Sequence, residues 1–555
     1  MKLNRKDIIV IALLLVMLLS ANIYTLLFAD NFFSDYSDRL WYVLVTIIGY
    51  IGGILFFNLR TFFLILGIMQ MLILPIEMSS LYLNGQPVSM PFMSWIISTN
   101  KTEAQELLIS IWWIVVVVIS IWILYGWLVL HISKDIKVKG RAKPIILGVL
   151  MLMLTTLSLI HFSNLNKNYT APSKLVYAHI YAWSFGMHVG KVFPYDIYLQ
   201  TFRAFKHQKE MDGLVLLKNY QFGIKHRSDQ DSVLYVMVIG EAARYHNFSL
   251  NGEYERETTP LLSHQSNLVS FSHAYAEANA TDLSVPLMLT RATAENQVIA
   301  YNEKTVAGAF QEAGFKVAWL SSESSPIQYL QHVLPTLDTS WIAPEETVFD
   351  ESLFSPYRNL VTDKQSSFLG NSLLILQTKG SHLSYQDRYP DNFAIFEPCF
   401  KKGTANLSFN KELMTNTYDN SILYTDYVLS TLIQILDSTE RCSCLIYMPD
   451  HGENLCDDER QLWVHGSYDG SIWEYHVPLL VWYSDSFQKR YPEKVEALKN
   501  NRNKKLSSKV IFHTLCDMAN LYEITDRHNS LLSDSLVEQK SIKVLNGKGE
   551  LIMLQ

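Results

Sequence analysis

Long apolar runs crowd the first part of the chain, and short ones punctuate the rest. Five early runs, approximately Ile8–Phe28, Trp41–Phe57, Thr61–Ile76, Leu107–Ile132 and Pro144–Phe162, are apolar enough to cross a hydrocarbon core, which takes roughly 20 helical residues. The third is short and runs into Pro75 and Glu77. Lys2, Arg5 and Lys6 precede the first run, and Arg60 separates the second from the third. Lys134, Lys137, Lys139, Arg141 and Lys143 fall between the fourth and fifth, whereas the alternate connections carry Asp30, Asp35, Asp38, Glu103 and Glu106. Basic loops stay on the cytoplasmic side. The pattern therefore predicts five spans, a cytoplasmic N-terminus, and everything after about Ser163 outside. Trp112, Trp113, Trp122 and Trp127 in the fourth run read as interfacial or lipid-facing anchors.

From Val233 onward the period changes. Strand-like runs at Leu234–Ile239, Lys316–Leu320, Leu373–Gln377, Cys444–Met448 and Pro478–Tyr483 alternate with helical patterns at Thr305–Ala313, Thr417–Leu436 and near Lys509–Ala519. Such alternation predicts an α/β domain with a mostly parallel sheet, whose ligands gather beyond the C-terminal strand ends. Between the two regions, aromatic, basic and polar residues mix with a helical stretch at Tyr198–Gln208, which reads as a bridge near the membrane surface. The expected division is 1–162, 163–232 and 233–555.

Composition sharpens this only in places. Over 555 residues, 49% are hydrophobic, too many for an ordinary soluble enzyme. A net charge of −7 gives no support to nucleic acid as a partner; membrane and lipid are the natural ones. Five cysteines, Cys399, Cys442, Cys444, Cys456 and Cys516, all fall in the outer domain. The number is odd, so at least one has no partner within the chain.

Candidate chemistry clusters where strands end. Gly240-Glu241-Ala242-Ala243-Arg244 follows the first strand, Thr378-Lys379-Gly380-Ser381-His382 the third, and Asp450-His451-Gly452-Glu453 the fourth. Val464-His465-Gly466 comes after an acidic loop. Any one of Glu241, His382, Asp450, His451 and His465 alone reads equally well as a cap or a solvated group. Ligand-type side chains on three separate strand ends favour a metal centre instead. Asn416, Tyr418, Asp419 and Asn420 read as the N-terminal cap of the long helix, with a substrate-facing role as the alternative.

Further stretches carry a family resemblance: Asn247-Phe248-Ser249-Leu250-Asn251-Gly252, Arg256-Glu257-Thr258-Thr259-Pro260, Thr281-x-x-Ser284-Val285-Pro286, Arg388-Tyr389-Pro390, Tyr418-Asp419-Asn420-Ser421-Ile422 and His476-Val477-Pro478. With the strand-end motifs and the apolar anchor, the chain resembles the bacterial phosphoethanolamine transferases of the alkaline phosphatase and sulfatase superfamily over nearly its whole length. The resemblance implies a five-helix transmembrane domain in the inner membrane and an α/β sulfatase-like domain in the periplasm. It implies zinc held by Glu241, Asp450 and His451, with Thr281 as both ligand and nucleophile. His382 and His465 would surround the transferred phosphoryl group, and residues 242, 244 and 247 (Ala242, Arg244, Asn247) the substrate. The donor would be phosphatidylethanolamine and the acceptor lipid A or a related envelope glycan, through a phosphoethanolamine-threonine.

The chain departs from its relatives in places. Many lipid A-modifying members carry Thr where Ala242 stands, and Glu277 and Leu287 occupy positions where the family often has a disulfide. A phosphoglycerol transferase, or a relative that binds headgroups without turnover, are the rival readings.

Overall fold

The computed structural model describes residues 5–99 (except 30–31, 34–35 and 58), 104, 112–132, 144–146, 148–149 and 190–554 (except 213–219, 226–231, 253, 345–348 and 403–409). The chain forms two compact units, Met1–Ile97 with Trp112–Lys206, and Ser98–Ile111 with His207–Gln555.

The first unit is helical and apolar. Among the described residues three helices are long and apolar enough to cross a membrane, Arg5–Phe28, Asp38–Phe57 and Leu59–Tyr82, and Val115–Leu130 is a shorter apolar helix. The full elements are α1 (Arg5–Phe28), α2 (Tyr36–Phe57), α3 (Ile68–Asn84) and α4 (Trp112–Leu130). The third predicted run, weak in the sequence because of Pro75, is continued backward from α3 by a π turn at Phe63–Gly67 and a helical turn at Leu59–Phe62. A π turn leaves a carbonyl short of its usual donor, and the Tyr125 hydroxyl donates to Phe63 O at 2.9 Å. Leu14, Leu18, Phe63 and Val129 are buried together, while Ile8, Leu13, Val16 and Leu27 of α1 remain exposed. Exposed apolar side chains in such number suit a lipid surround. Beyond residues 144–146 and 148–149, the fifth predicted span lies outside the described residues, as does the basic cluster from Lys134 to Lys143. The bridge helix, α5 (Tyr195–Asp212), extends the predicted stretch at both ends.

The second unit is built on a seven-stranded sheet: β1 (Val233–Gly240), β2 (Leu268–Phe271), β3 (Lys316–Ser321), β4 (Thr339–Ile342), β5 (Ser372–Gln377), β6 (Cys442–Pro449) and β7 (Leu479–Tyr483). Their spatial order is β2-β7-β6-β1-β5-β3-β4. From β6 to β4 the pairs are parallel, and β7 runs antiparallel to both β6 and β2. All eight residues of β1 are buried, as a central strand covered on both faces requires. Tyr235, Met237 and Ile239 face one apolar core, and Leu234, Val236 and Val238 the other. The flanking helices include α6 (Thr281–Leu289), α7 (Val306–Glu312), α8 (Lys411–Asp437) and α9 (Val510–Met518).

The long helix corrects one expectation. It begins at Lys411, where the Asn410 side chain accepts from Leu413 N, so Asn416, Tyr418, Asp419 and Asn420 lie inside it and cap nothing. Asn420 Oδ1 instead accepts the N–H groups of Ile395 and Phe396. All five cysteines are free thiols.

Candidate metal centre and nucleophile

Residues 240–242 leave the C-terminal end of β1, and residues 449–451 leave the neighbouring β6 in register, Gly240 opposite Pro449. This parallel pairing sets Glu241 beside Asp450 and His451. Two glycines permit the close approach of the surrounding loops. A Cβ on Gly380 would fall 2.7 Å from Glu241 O, and one on Gly452 only 2.2 Å from Trp473 O. Either would push a loop off the site.

The polar atoms meet with a deficit of protons. His451 Nδ1 lies 2.8 Å from Gly452 O; a carbonyl can only accept, so Nδ1 carries the hydrogen and Nε2 presents a lone pair. That lone pair faces Glu241 Oε1 at 3.4 Å, Asp450 Oδ2 at 3.5 Å and Thr281 Oγ1 at 3.3 Å. Thr281 Oγ1 is also 3.4 Å from Glu241 Oε2. Asp450 Oδ1 is engaged by the N–H groups of Ala242 and His451, which leaves Oδ2 free. Glu241 Oε1 and Asp450 Oδ2 are buried without a hydrogen-bond partner. Glu241, His451 and His465 each offer a ligand atom within 4.8 Å of the others. His465 Nδ1 sits 3.0 Å from Glu453 Oε2, a carboxylate-imidazole pair that fixes a ring the way partners of metal-bound histidines do.

Electrostatics agree. Burial, and then the adjacent Asp450 carboxylate, raise the Glu241 carboxyl well above its ordinary range. Burial pushes Glu453 up to about 8 and lowers His451, His465 and, most strongly, His382 below the usual imidazole value. Buried carboxylate oxygens and an imidazole lone pair, with only the Thr281 hydroxyl to donate among them, are what a bound cation relieves. Two imidazoles with carboxylates and a hydroxyl suit zinc.

Thr281 opens α6, and its predecessor Ala280 is extended and supplies no side-chain cap. Ala280 O accepts from Leu283 N and Ser284 N, the N–H groups of Thr281 and Asp282 lack intrahelical acceptors, and such an end favours an anion. The His382 ring stands 6.4 Å from that of His465, which is 4.0 Å from that of His451. Glu241, Thr281, Asp450, His451, His465 and His382 thus come together.

The three residues expected at the substrate are occupied otherwise. Ala242 is fully buried in the left-handed region, φ 52°, its carbonyl taken by the Tyr418 hydroxyl. Its side chain has no surface to offer a headgroup. Arg244 is buried, paired through both terminal nitrogens with Asp457 and stacked 4.4 Å from the Trp473 ring. Asn247 donates to Asp419 Oδ1.

Two positioning carboxylates escaped the sequence reading. Asp350 accepts the N–H groups of Lys379 and Gly380 and so holds the loop bearing His382. Glu474 accepts from Asn279, Ser467 and Ser471, tying the approach to Thr281 to the segment after His465. The Ser471-x-x-Glu474 capping box was a legible signal for the second; Asp350 carries none.

An α/β sheet carries an acid and imidazole cluster at its C-terminal edge, fronted by a hydroxyl on a helix N-terminus, an arrangement suited to holding a cation beside that hydroxyl. The profile of the sulfatase family matches residues 234–521, and the chain belongs to that family. It is 32% identical over 272 residues to phosphoethanolamine transferase EptA of Escherichia coli strain K12, covering 46% of this chain and 48% of that protein. It is 30% identical over 270 residues to Kdo(2)-lipid A phosphoethanolamine 7''-transferase of Salmonella typhimurium, covering 47% and 46%. The chain spans about half the length of these curated relatives. The fold is shared with the integral membrane protein lipooligosaccharide phosphoethanolamine transferase A of Neisseria meningitidis, TM-score 0.68 at 18% identity, over 93% of this chain and 98% of that one.

Proposed function

We propose that this membrane protein is a zinc-dependent phosphoethanolamine transferase. It takes phosphoethanolamine from phosphatidylethanolamine and passes it to lipid A or a related envelope glycan, through an adduct on Thr281. The observation that carries the reading is the hydroxyl of Thr281, which donates to Glu241 Oε2 at 3.4 Å and lies 3.3 Å from the Nε2 lone pair of His451. The names of the relatives support the transferred group and the acceptor.

Glu241, Thr281, Asp450 and His451 would hold the zinc, with His465 as a further donor on the same face. Bound there, zinc lowers the pKa of a coordinated hydroxyl and polarises phosphoryl oxygens. Thr281 Oγ1 forms the new bond to phosphorus as the bond to the diacylglycerol oxygen breaks. The N-terminus of α6 attracts the phosphoryl group as an anion. The His382 ring relays the Thr281 hydroxyl proton to the departing alkoxide and later the acceptor hydroxyl's proton back to Thr281, while His465 borders the transferred phosphoryl group. The adduct then passes to that hydroxyl, and Thr281 is restored. The basic residues before α1 and between the fourth and fifth apolar runs support an inner-membrane anchor with the catalytic domain in the periplasm.

The test is incubation of the full-length protein with fluorescent phosphatidylethanolamine and no acceptor. Diacylglycerol should be released and mass spectrometry should find the adduct on Thr281. Thr281→Ala should abolish both, a loss of roughly 4 kcal/mol or more of barrier. Release from Thr281→Ala at the normal rate sinks the reading, and turnover of phosphatidylglycerol alone moves the protein to the phosphoglycerol class.

A further inference from the structure

Thr281 and Ser284 lie on one face of α6, because residues three apart stack along a helix. Ser284 is fully buried, and its hydroxyl makes an uncommon choice. A serine or threonine within a helix ordinarily returns its hydroxyl to the carbonyl four residues back. Thr290 does so to Pro286 O at 2.7 Å, and Thr425 to Ser421 O at 3.0 Å. For Ser284 that carbonyl belongs to Ala280, and the N–H groups of Leu283 and of Ser284 itself already occupy it. The Ser284 hydroxyl donates instead to a distant part of the chain, Asp450 O, at 2.5 Å.

Asp450 is held on its other sides as well. Its N–H donates to Gly240 O at 3.1 Å, and its Oδ1 accepts from Ala242 and His451, which leaves Oδ2 for a cation. The Ser284 bond therefore joins the helix of the nucleophile to the residue whose carboxylate faces the cation site. Val285, Met288 and Leu289 seat α6 in the core, but apolar contacts are non-directional and by themselves fix neither the rotation nor the height of its first turn.

We propose that Ser284 is a positioning residue that holds Thr281 Oγ1 at its distance from the cation site. The inference rests on the transferase reading and adds to it a residue buried away from the substrate. With the bond made, Thr281 Oγ1 stands 3.4 Å from Glu241 Oε2 and 3.3 Å from His451 Nε2. Without it the first turn is free to roll, and a misplacement of about 1 Å costs about a hundredfold in rate.

The experiment uses the full-length protein with fluorescent phosphatidylethanolamine and no acceptor, well below the melting midpoint of every variant. Ser284→Ala should lower the maximal rate of adduct formation on Thr281 about a hundredfold. The donor concentration for half-maximal rate should stay within about twofold, since binding is not what the bond serves. Ser284→Cys keeps a weak donor in nearly the same volume; it should fall between, and it carries the test should Ser284→Ala fail to fold. Thr290→Val, which removes a hydroxyl bond within the same helix, should lower the melting midpoint without slowing the adduct. Zinc affinity, measured by competition with a chelator, gives a reading that needs no turnover. Ser284→Ala should weaken zinc about tenfold, and far less when Thr281→Ala has already removed the hydroxyl being placed. An adduct rate in Ser284→Ala equal to that of the wild type overturns the proposal. So does an equal loss of zinc affinity with and without Thr281, because Ser284 would then act on Asp450 alone. If the wild-type protein forms no adduct, the transferase reading has failed, and the zinc comparison still decides whether Ser284 places Thr281.

Discussion

Arg244 shows how far a residue's neighbours govern its task. Its motif suggests a hand for the substrate, but its guanidinium is buried against Asp457 and Trp473. Removing one partner of a buried pair leaves the other charge without compensation, at a cost of about 3–5 kcal/mol. Asp457→Ala should therefore lower the thermal midpoint of the purified protein markedly, while Arg244→Met, which removes the charge and keeps the volume, should lower it less. A melting series on both variants checks this. His513 makes a second case. Its Nδ1 accepts the N–H of Asp526, and burial pushes its pKa down to about 4. The unfolded chain, with a histidine value of about 6.5, takes up the proton first as pH falls. The stability that His513 contributes is thus intact above about pH 6.5 and drains away toward pH 4. His513→Asn should flatten that part of the profile in melts recorded from pH 7.5 to 4.5. At this scale the gathering of Glu241, Asp450 and His451 was legible, because side chains that are ambiguous singly all follow separate apolar runs that end at one sheet edge. The occupations of Ala242 and Arg244 were not, since Tyr418 and Asp457, which engage them, lie far along the chain.

Among the elements, the five central runs of the outer domain could be read as strands because burial on both faces makes them continuously apolar. The edge strands β2 and β4 could not. Each has four residues with only partial burial, too little pattern to stand out from a loop. The reversed direction of β7 is likewise absent from its composition, because direction is set by the connections. The start of α8 was misplaced for a related reason: Asn416 and Asp419 look like caps until Asn410 is seen to do that work. Asn410→Ala should cost about 1 kcal/mol, the usual loss of a cap. Asn420→Ala strands two backbone N–H groups and should cost more, about 2–3 kcal/mol. Denaturant midpoints of the two variants give the comparison.

For the molecule as a whole, the acid cluster sets stability against chemistry. Without a cation, Glu241 and Asp450 hold buried oxygens that nothing satisfies. A ligand that binds only the folded state stabilises it by mass action. Chelation should accordingly lower the melting temperature of the wild-type protein. Glu241→Gln should melt higher than wild type when both are chelated, and should gain less from added zinc. Calorimetry with and without chelator decides it. Gly547, in the turn between the paired strands Ile542–Leu545 and Leu551–Leu554, packs so closely that a Cβ on it would lie 1.8 Å from Gly466 O, and this has a consequence for how the molecule is made. The surroundings of the site draw on residues from Gly240 to Gly547, and synthesis of that interval takes roughly 15–60 s at ordinary rates. Strands, loops and helix N-terminus can all be in place while the turn at Gly547 is still missing. The wall beside Gly466 exists only once the chain has been made as far as Leu554, so it is the final part of the site to come into being.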